Sequence, residues 1–214
     1  MQSIFNYHPL LFHLLVLLSI IVPAAPAKAQ VTEVVVGVTP SCPYGIKGCW
    51  SGAYGALGRL EGVASVAKNP DAYNSTAEVY FKGPGLPDVK KWSEQFKSIV
   101  GEIYVFRGVE VTILASIEEK NGNLVLRMPG FNERITLAPL QNKLQWNFKK
   151  GAARQPEPDE RKAYRKLAAK KNKAKGEDFQ VEVTGPLRQT DQGLVLEVRE
   201  FFLISPEAKG RRQD

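Results

Sequence analysis

The stretch VTEVVVGVTPSCPYGIKGCW, Val31 to Trp50, decides how this chain is read. Val31 to Val38 is rich in β-branched residues and meets Gly37 and Pro40 at its end, so a strand is expected there. The only two cysteines, Cys42 and Cys49, follow in one short loop. From Gly48 to Leu60 the period changes: Trp50, Ala53, Tyr54, Leu57 and Leu60 recur at helical spacing, and Gly62 closes the run. A strand, a cysteine-bearing loop and a helix thus open the folded part.

To the N-terminal side, Leu10 to Val22 is apolar, and Ala27-Lys28-Ala29 forms a small-x-small cleavage site before Gln30. Residues 1–29 are therefore expected to be a secretory signal. The n-region carries no Lys or Arg, which leaves an uncleaved anchor as the rival, but a largely apolar run of 13 residues falls short of the roughly 20 that span a bilayer. Cleavage near Ala29 exports the protein to a periplasm or the extracellular space. Both histidines, His8 and His13, leave with that segment, so histidine-dependent catalysis is excluded for the remainder. A closed zinc site, needing four Cys or His ligands, is excluded likewise. Hydrophobic residues make up 43% of the chain and the aromatics are 10 Phe, 7 Tyr and 3 Trp, enough for a globular core.

To the C-terminal side the order up to Arg107 is strand, helix, strand, strand, helix, strand. Val63 to Ala67 and Thr76 to Phe81 are the middle strands, separated by the turn cluster Lys68-Asn69-Pro70-Asp71. Pro87-Asp88 opens a helix with Val89, Trp92, Phe96 and Val100 on one face, Gly101 ends it, and Ile103 to Phe106 begins the next strand. Gly37-Val38-Thr39, the cysteines ahead of a helix, Leu60-Glu61-Gly62-Val63 and Ser75 to Val79 together resemble the heavy-metal-associated (HMA) domain. That resemblance covers about 75 residues. It implies a ferredoxin-like βαββαβ module at 30–107 that carries Cu(I) or another soft metal ion on Cys42 and Cys49 when they are reduced. The family holds its metal through Cys-x-x-Cys. Here the spacing is Cys-x6-Cys, with Pro43 to Gly48 between, which suits a disulfide at least as well. Three readings stand: a structural disulfide, favoured by an oxidising compartment; a soft-metal site; and a redox-active disulfide, favoured by Cys49 at a helix N-terminus.

The second half has another rhythm. Val109 to Ile117 alternates, Asn121-Gly122 signals a hairpin, and Leu124 to Arg127 and Arg134 to Leu137 follow as strands. A loop with Leu144, Trp146 and Phe148 leads to a helix from Asp159 to Lys175, stopped by Gly176. Phe179 to Thr184 and Leu194 to Phe202 are the last strands, joined by Asp191-Gln192-Gly193. Three strands, a helix and two strands resemble, by order and length, an oligonucleotide/oligosaccharide-binding (OB) barrel at 108–205, followed by a flexible tail at 206–214. The expected fold class is therefore α+β: a ferredoxin-like module, then a small OB-like barrel with one helix.

The helix from Asp159 is basic after its first turn, and Arg165, Lys166, Lys170, Lys171 and Lys173 form a candidate polyanion patch. A solvated helix face is the plainer reading. Trp50, Trp92 and Trp146 read as core anchors, and Asn74-Ser75-Thr76 is a glycosylation sequon. The leading functional expectation is a non-enzymatic, exported, metal-binding or metal-handling accessory protein, with a metal donor or acceptor protein or a polyanionic envelope component as partner and no nucleic acid. The alternatives are an envelope binding or structural module with Cys42–Cys49 as a disulfide, and a thiol–disulfide oxidoreductase.

Overall fold

A computed structural model describes residues 30–204 apart from 84, 129 and 175–178. The expected signal segment, the tail at 206–214 and the helix stop at Gly176 lie outside the described residues. The fold is α+β, built on one large mixed sheet with four α-helices among the described residues.

The first half runs β1 (Gln30–Pro40), α1 (Gly45–Gly48), α2 (Trp50–Leu57), β2 (Val63–Val66), β3 (Thr76–Phe81), α3 (Val89–Val100) and β4 (Tyr104–Lys120). Its strands lie in the order β4-β1-β3-β2, each antiparallel to its neighbour. Val34, Val36 and Val38 alternate inward from β1, as a half-buried strand requires. Asp88 caps α3 by accepting the Lys91 N–H at 2.9 Å, and Pro87 precedes the cap. Trp92 and Phe96 are buried. Trp92 stacks on Phe81 at 5.4 Å, and Phe96 meets Phe106 at 5.8 Å.

Sequence reading expects separate strands at 103–106 and 109–117, but β4 is one strand of 17 residues. The join at 107/108 falls inside it. Gly37 faces Gly108 and Val38 faces Phe106, so Arg107 is the extra residue of a β-bulge. Gly108 sits at φ +119, a conformation that favours glycine.

The second half adds β5 (Asn123–Arg127), β6 (Arg134–Pro139), β7 (Trp146–Asn147), β8 (Ala152–Ala153), α4 (Pro158–Lys173), β9 (Gln180–Thr190), β10 (Gly193–Val198) and β11 (Glu200–Ile204). Asn121 and Gly122 both have positive φ, 53° and 75°, as a two-residue hairpin between β4 and β5 needs. Pairings run β4-β5-β6-β10-β9 and return from β9 to β4, which closes a ring of strands. Only β6 and β10 pair in parallel within it. Val111, Ile113, Ile117, Leu126, Ile135, Val183 and Leu196 are buried with α4's Leu167. One core cluster runs through both halves.

The last expected strand is split at Arg199. Leu196 faces Leu187, but Glu200 faces Thr184, a slip of one residue. Gly185 permits the close approach there: a Cβ on it would stand 1.7 Å from the Glu197 carbonyl oxygen.

Candidate functional site

Cys42 and Cys49 are joined in a disulfide, and no free cysteine remains among the described residues. Between them lies the four-residue α1, and Cys49 is the N-cap of α2. The loop is pinned to β4 and the residue before it: Ser41 donates both its N–H (2.8 Å) and its hydroxyl (3.0 Å) to the Ile103 carbonyl, and the Tyr104 hydroxyl donates to the Cys49 carbonyl. The donor set does not fit a soft metal ion in this state, because both sulfurs are spent on each other. Among the described residues no group of three or more His, Cys, Asp or Glu stands together as a metal site.

The connection from β6 to α4 reaches across to the first half. Its donors and those of β4 take three successive carbonyls of the turn before β3. The Arg154 guanidinium donates to Tyr73 O (2.7 Å), the Trp146 N–H to Asn74 O (2.8 Å) and the Arg107 guanidinium to Ser75 O (2.7 Å). Arg154 also lies 3.6 Å over the Tyr73 ring, and Arg107 5.2 Å over Trp146. Ser75 holds φ +53 with its hydroxyl on Val38 O at 2.6 Å. Within the expected sequon, the Asn74 side-chain amide donates to Asp71 at 2.7 Å.

Arg107 is the least expected residue of this junction. The bulge turns it under the connection, where it donates to Thr39 Oγ1, Ser75 O and Leu144 O. None of its partners is a carboxylate, and its Nε is buried without a partner. Burial pushes its pKa down to about 10. Gly37 makes room for it: a Cβ there would come 2.6 Å from Leu144 Cδ1 and 3.1 Å from Arg107 Nη2.

A second, half-buried set around the buried Glu110 ties the connection and α4 to the barrel. Glu110 is 3% exposed and accepts from Arg199 (3.1 Å) and Gln145 (3.2 Å). Glu160 accepts from Lys143 at 2.7 Å and lies 3.6 Å from Arg199. Burial raises the Glu110 carboxyl above its usual range, against the pull of Arg199 and Gln145. Burial works against the Glu160 carboxylate as well, yet Lys143, the Glu157 N–H and Arg199 outweigh it and hold the group below its usual range. Burial likewise disfavours the Arg199 cation, but Glu110, Glu200 and Glu160 hold it above its usual value.

β4 and β9 are paired from Ser116↔Gln180 to Val109↔Leu187 and then part. A cleft of about 630 Å³ opens in the wedge, walled by Phe106 to Val109, by Pro186 to Asp191, by Asn142 to Leu144 and by Val89, Lys90 and Ser93 of α3. Glu197 lies in it, 2% exposed, accepting the Gln141 N–H at 2.8 Å and paired with Arg188. A second hollow of about 520 Å³ adjoins it through Gln189 and carries Asp88, Glu133 and Arg134.

The residues expected to form a polyanion patch differ in exposure. Arg165, Lys166, Lys170 and Lys173 are exposed on α4, and Lys166 pairs with Asp159 at 2.9 Å. Lys171 does not belong to it. Its side chain is buried, 7% exposed, with its ammonium 5.8 Å over the Phe179 ring, because it shares the face of Leu167. Of the three tryptophans, Trp92 is core, whereas Trp50 and Trp146 are half-buried, with the Trp50 N–H on Lys68 O at 2.7 Å.

Sequence reading missed Arg107, the Glu110–Arg199–Glu160–Lys143 set and the wedge. The signal for the first was present: Arg107-Gly108 interrupts an otherwise apolar or alternating run from Ile103 to Ile117. The other two depend on long-range pairing. No protein-family model, curated protein or solved structure matches the chain.

Proposed function

We propose that the protein is a non-enzymatic binding module of the cell envelope, in which Cys42 and Cys49 staple a loop and carry no cargo. The observation that carries this reading is the disulfide itself, which spends the only two thiols of the chain. In this reading the first half is a ferredoxin-like module and the second an OB-like barrel. The strand order β4-β1-β3-β2 supports the one. The five-strand ring, with its parallel β6–β10 pair and α4 between β6 and β9, supports the other. Export remains part of the proposal, and the disulfide is compatible with it. No described helix is long and apolar enough to cross a membrane.

A second reading keeps the resemblance to HMA domains, with Cu(I) as cargo of the reduced protein. It is favoured by Cys49 at the N-cap of α2, where first-turn N–H groups stabilise a thiolate. A Cu(I) titration against a competing chelator, run on the oxidised protein, the reduced protein and each Cys→Ser variant, separates the two. The stapled reading expects no one-to-one complex in the oxidised or the reduced form. A tight one-to-one complex of reduced protein that both Cys42→Ser and Cys49→Ser abolish would establish the cargo reading instead.

A further inference from the structure

The wedge between β4 and β9 is where the sheet leaves backbone groups of two strands facing open space. β9 stops pairing with β4 at Leu187 and runs on into its hairpin with β10. β4 runs back to Tyr104 with only its other edge paired, to β1. The edge of β4 from Tyr104 to Gly108 and the facing edge of β9 from Arg188 to Thr190 therefore have no strand partner. Such edges are templates for a further strand unless a protein blunts them with proline, charge or a cover. Here α3 and residues Asn142 to Leu144 of the connection after β6 lie beside the opening without filling it, since the cleft remains.

The charge of the opening is uneven. Lys90, Arg107, Lys143 and Arg188 line it against Asp191 and Glu197, four cations to two carboxylates. Glu197 is already met by Arg188 and Lys143 by Glu160, which leaves Lys90 and Arg107 against Asp191. Lys90 is exposed at the rim and pairs with no carboxylate among the described residues, and Arg107 contributes a half-buried cation with none. The adjoining hollow has the opposite balance, Asp88 and Glu133 against Arg134.

We infer that this wedge is a docking groove for an extended, acidic peptide segment of a partner protein, added as a strand to the free edge of β4. Main-chain hydrogen bonds along the edge supply the attachment, and alternate side chains, pointing to either face, supply the selection. Acidic side chains belong in the wedge beside Lys90, and the segment's less acidic end lies over the hollow. A compact anion would use the cations but not the unpaired backbone. This inference rests on the binding-module reading and names its ligand class.

The test uses the full, oxidised protein and amide NMR. The probe is a short synthetic peptide of alternating Glu and Val. Its controls are the same peptide N-methylated at alternate amides, and inorganic tripolyphosphate. The peptide is expected to shift and protect amides within Val105–Gly108 or Arg188–Thr190. N-methylation is expected to weaken it at least tenfold, since it removes the donors that strand addition needs. Lys90→Glu, an exposed rim change that leaves the fold intact, is expected to weaken it about tenfold. The inference is overturned by no shift in the wedge, by N-methylated peptide binding as well as the parent, by tripolyphosphate matching the peptide there, or by shifts confined to α4. A Cu(I) result that upholds the staple, with no peptide in the wedge, removes this inference alone.

Discussion

At the scale of single residues, the chemistry of the molecule lies in buried charge more than in its sulfurs. Glu110 is nearly inaccessible and its carboxyl is raised by burial, so the folded protein keeps that proton to higher pH than the unfolded chain does. The sign follows from linkage. Below the usual carboxyl range both states are protonated. As pH rises through the raised folded value, the folded state loses stability relative to the unfolded one. Glu160 runs the other way: its carboxylate is held below the usual range, so its contribution is present at neutral pH and lost on acidification. Glu110→Gln removes only the first effect. The stability of wild type minus that of Glu110→Gln, from denaturant titrations, is expected to fall as pH rises from about 4 to about 7. A difference that grows over that range contradicts the assignment. Neither Glu110 nor Arg199 was legible as a pair, because 89 residues separate them and only the β4–β9 pairing and the slip after β10 bring them together.

At the scale of elements, most of what periodicity and turn chemistry can report was legible. Val31 to Val38, Thr76 to Phe81, the helix from Val89 and the Asn121-Gly122 hairpin lie where their residues point. What escaped depends on neighbours distant in sequence. β4 is continuous because β1 on one edge and β9 on the other carry it across the Arg107 bulge, which no local pattern shows. α1, β7 and β8 are too short for a periodic signal, and β7 forms where the connection after β6 meets the 71–75 turn. Lys171 looked like its basic neighbours, yet helical spacing puts it on Leu167's side, over Phe179. The split between β10 and β11 rests on Gly185. Gly185→Ala forces a methyl into the Glu197 carbonyl and is expected to cost about 3–5 kcal/mol in urea unfolding, at the upper end of single substitutions. A loss below about 1 kcal/mol, an ordinary substitution effect, would show that the two strands part easily and that the close approach does not fix the slip.

At the scale of the whole molecule, two modules that sequence reading separates at 107/108 share a strand, a core and a clamp. β4 belongs to both, the buried cluster is continuous, and the connection from β6 to α4 holds three carbonyls of the first half. Unfolding is therefore expected to be a single transition, coincident by tryptophan fluorescence and by far-ultraviolet circular dichroism. Two resolved transitions would mean that the modules stand independently and that the shared strand does not couple them. The disulfide acts on this unit as a local staple. Closing a loop of eight residues, Cys42 to Cys49, is worth about 2.5 kcal/mol on the chain-entropy model. The central claim, that these sulfurs serve the fold, is tested most directly by intact mass. Protein isolated from its native compartment is denatured and alkylated with and without prior reduction. The account expects no alkyl group to be added without reductant and two to be added after it. Two alkyl groups added without reductant would contradict the account and return Cys42 and Cys49 to the metal-carrying reading.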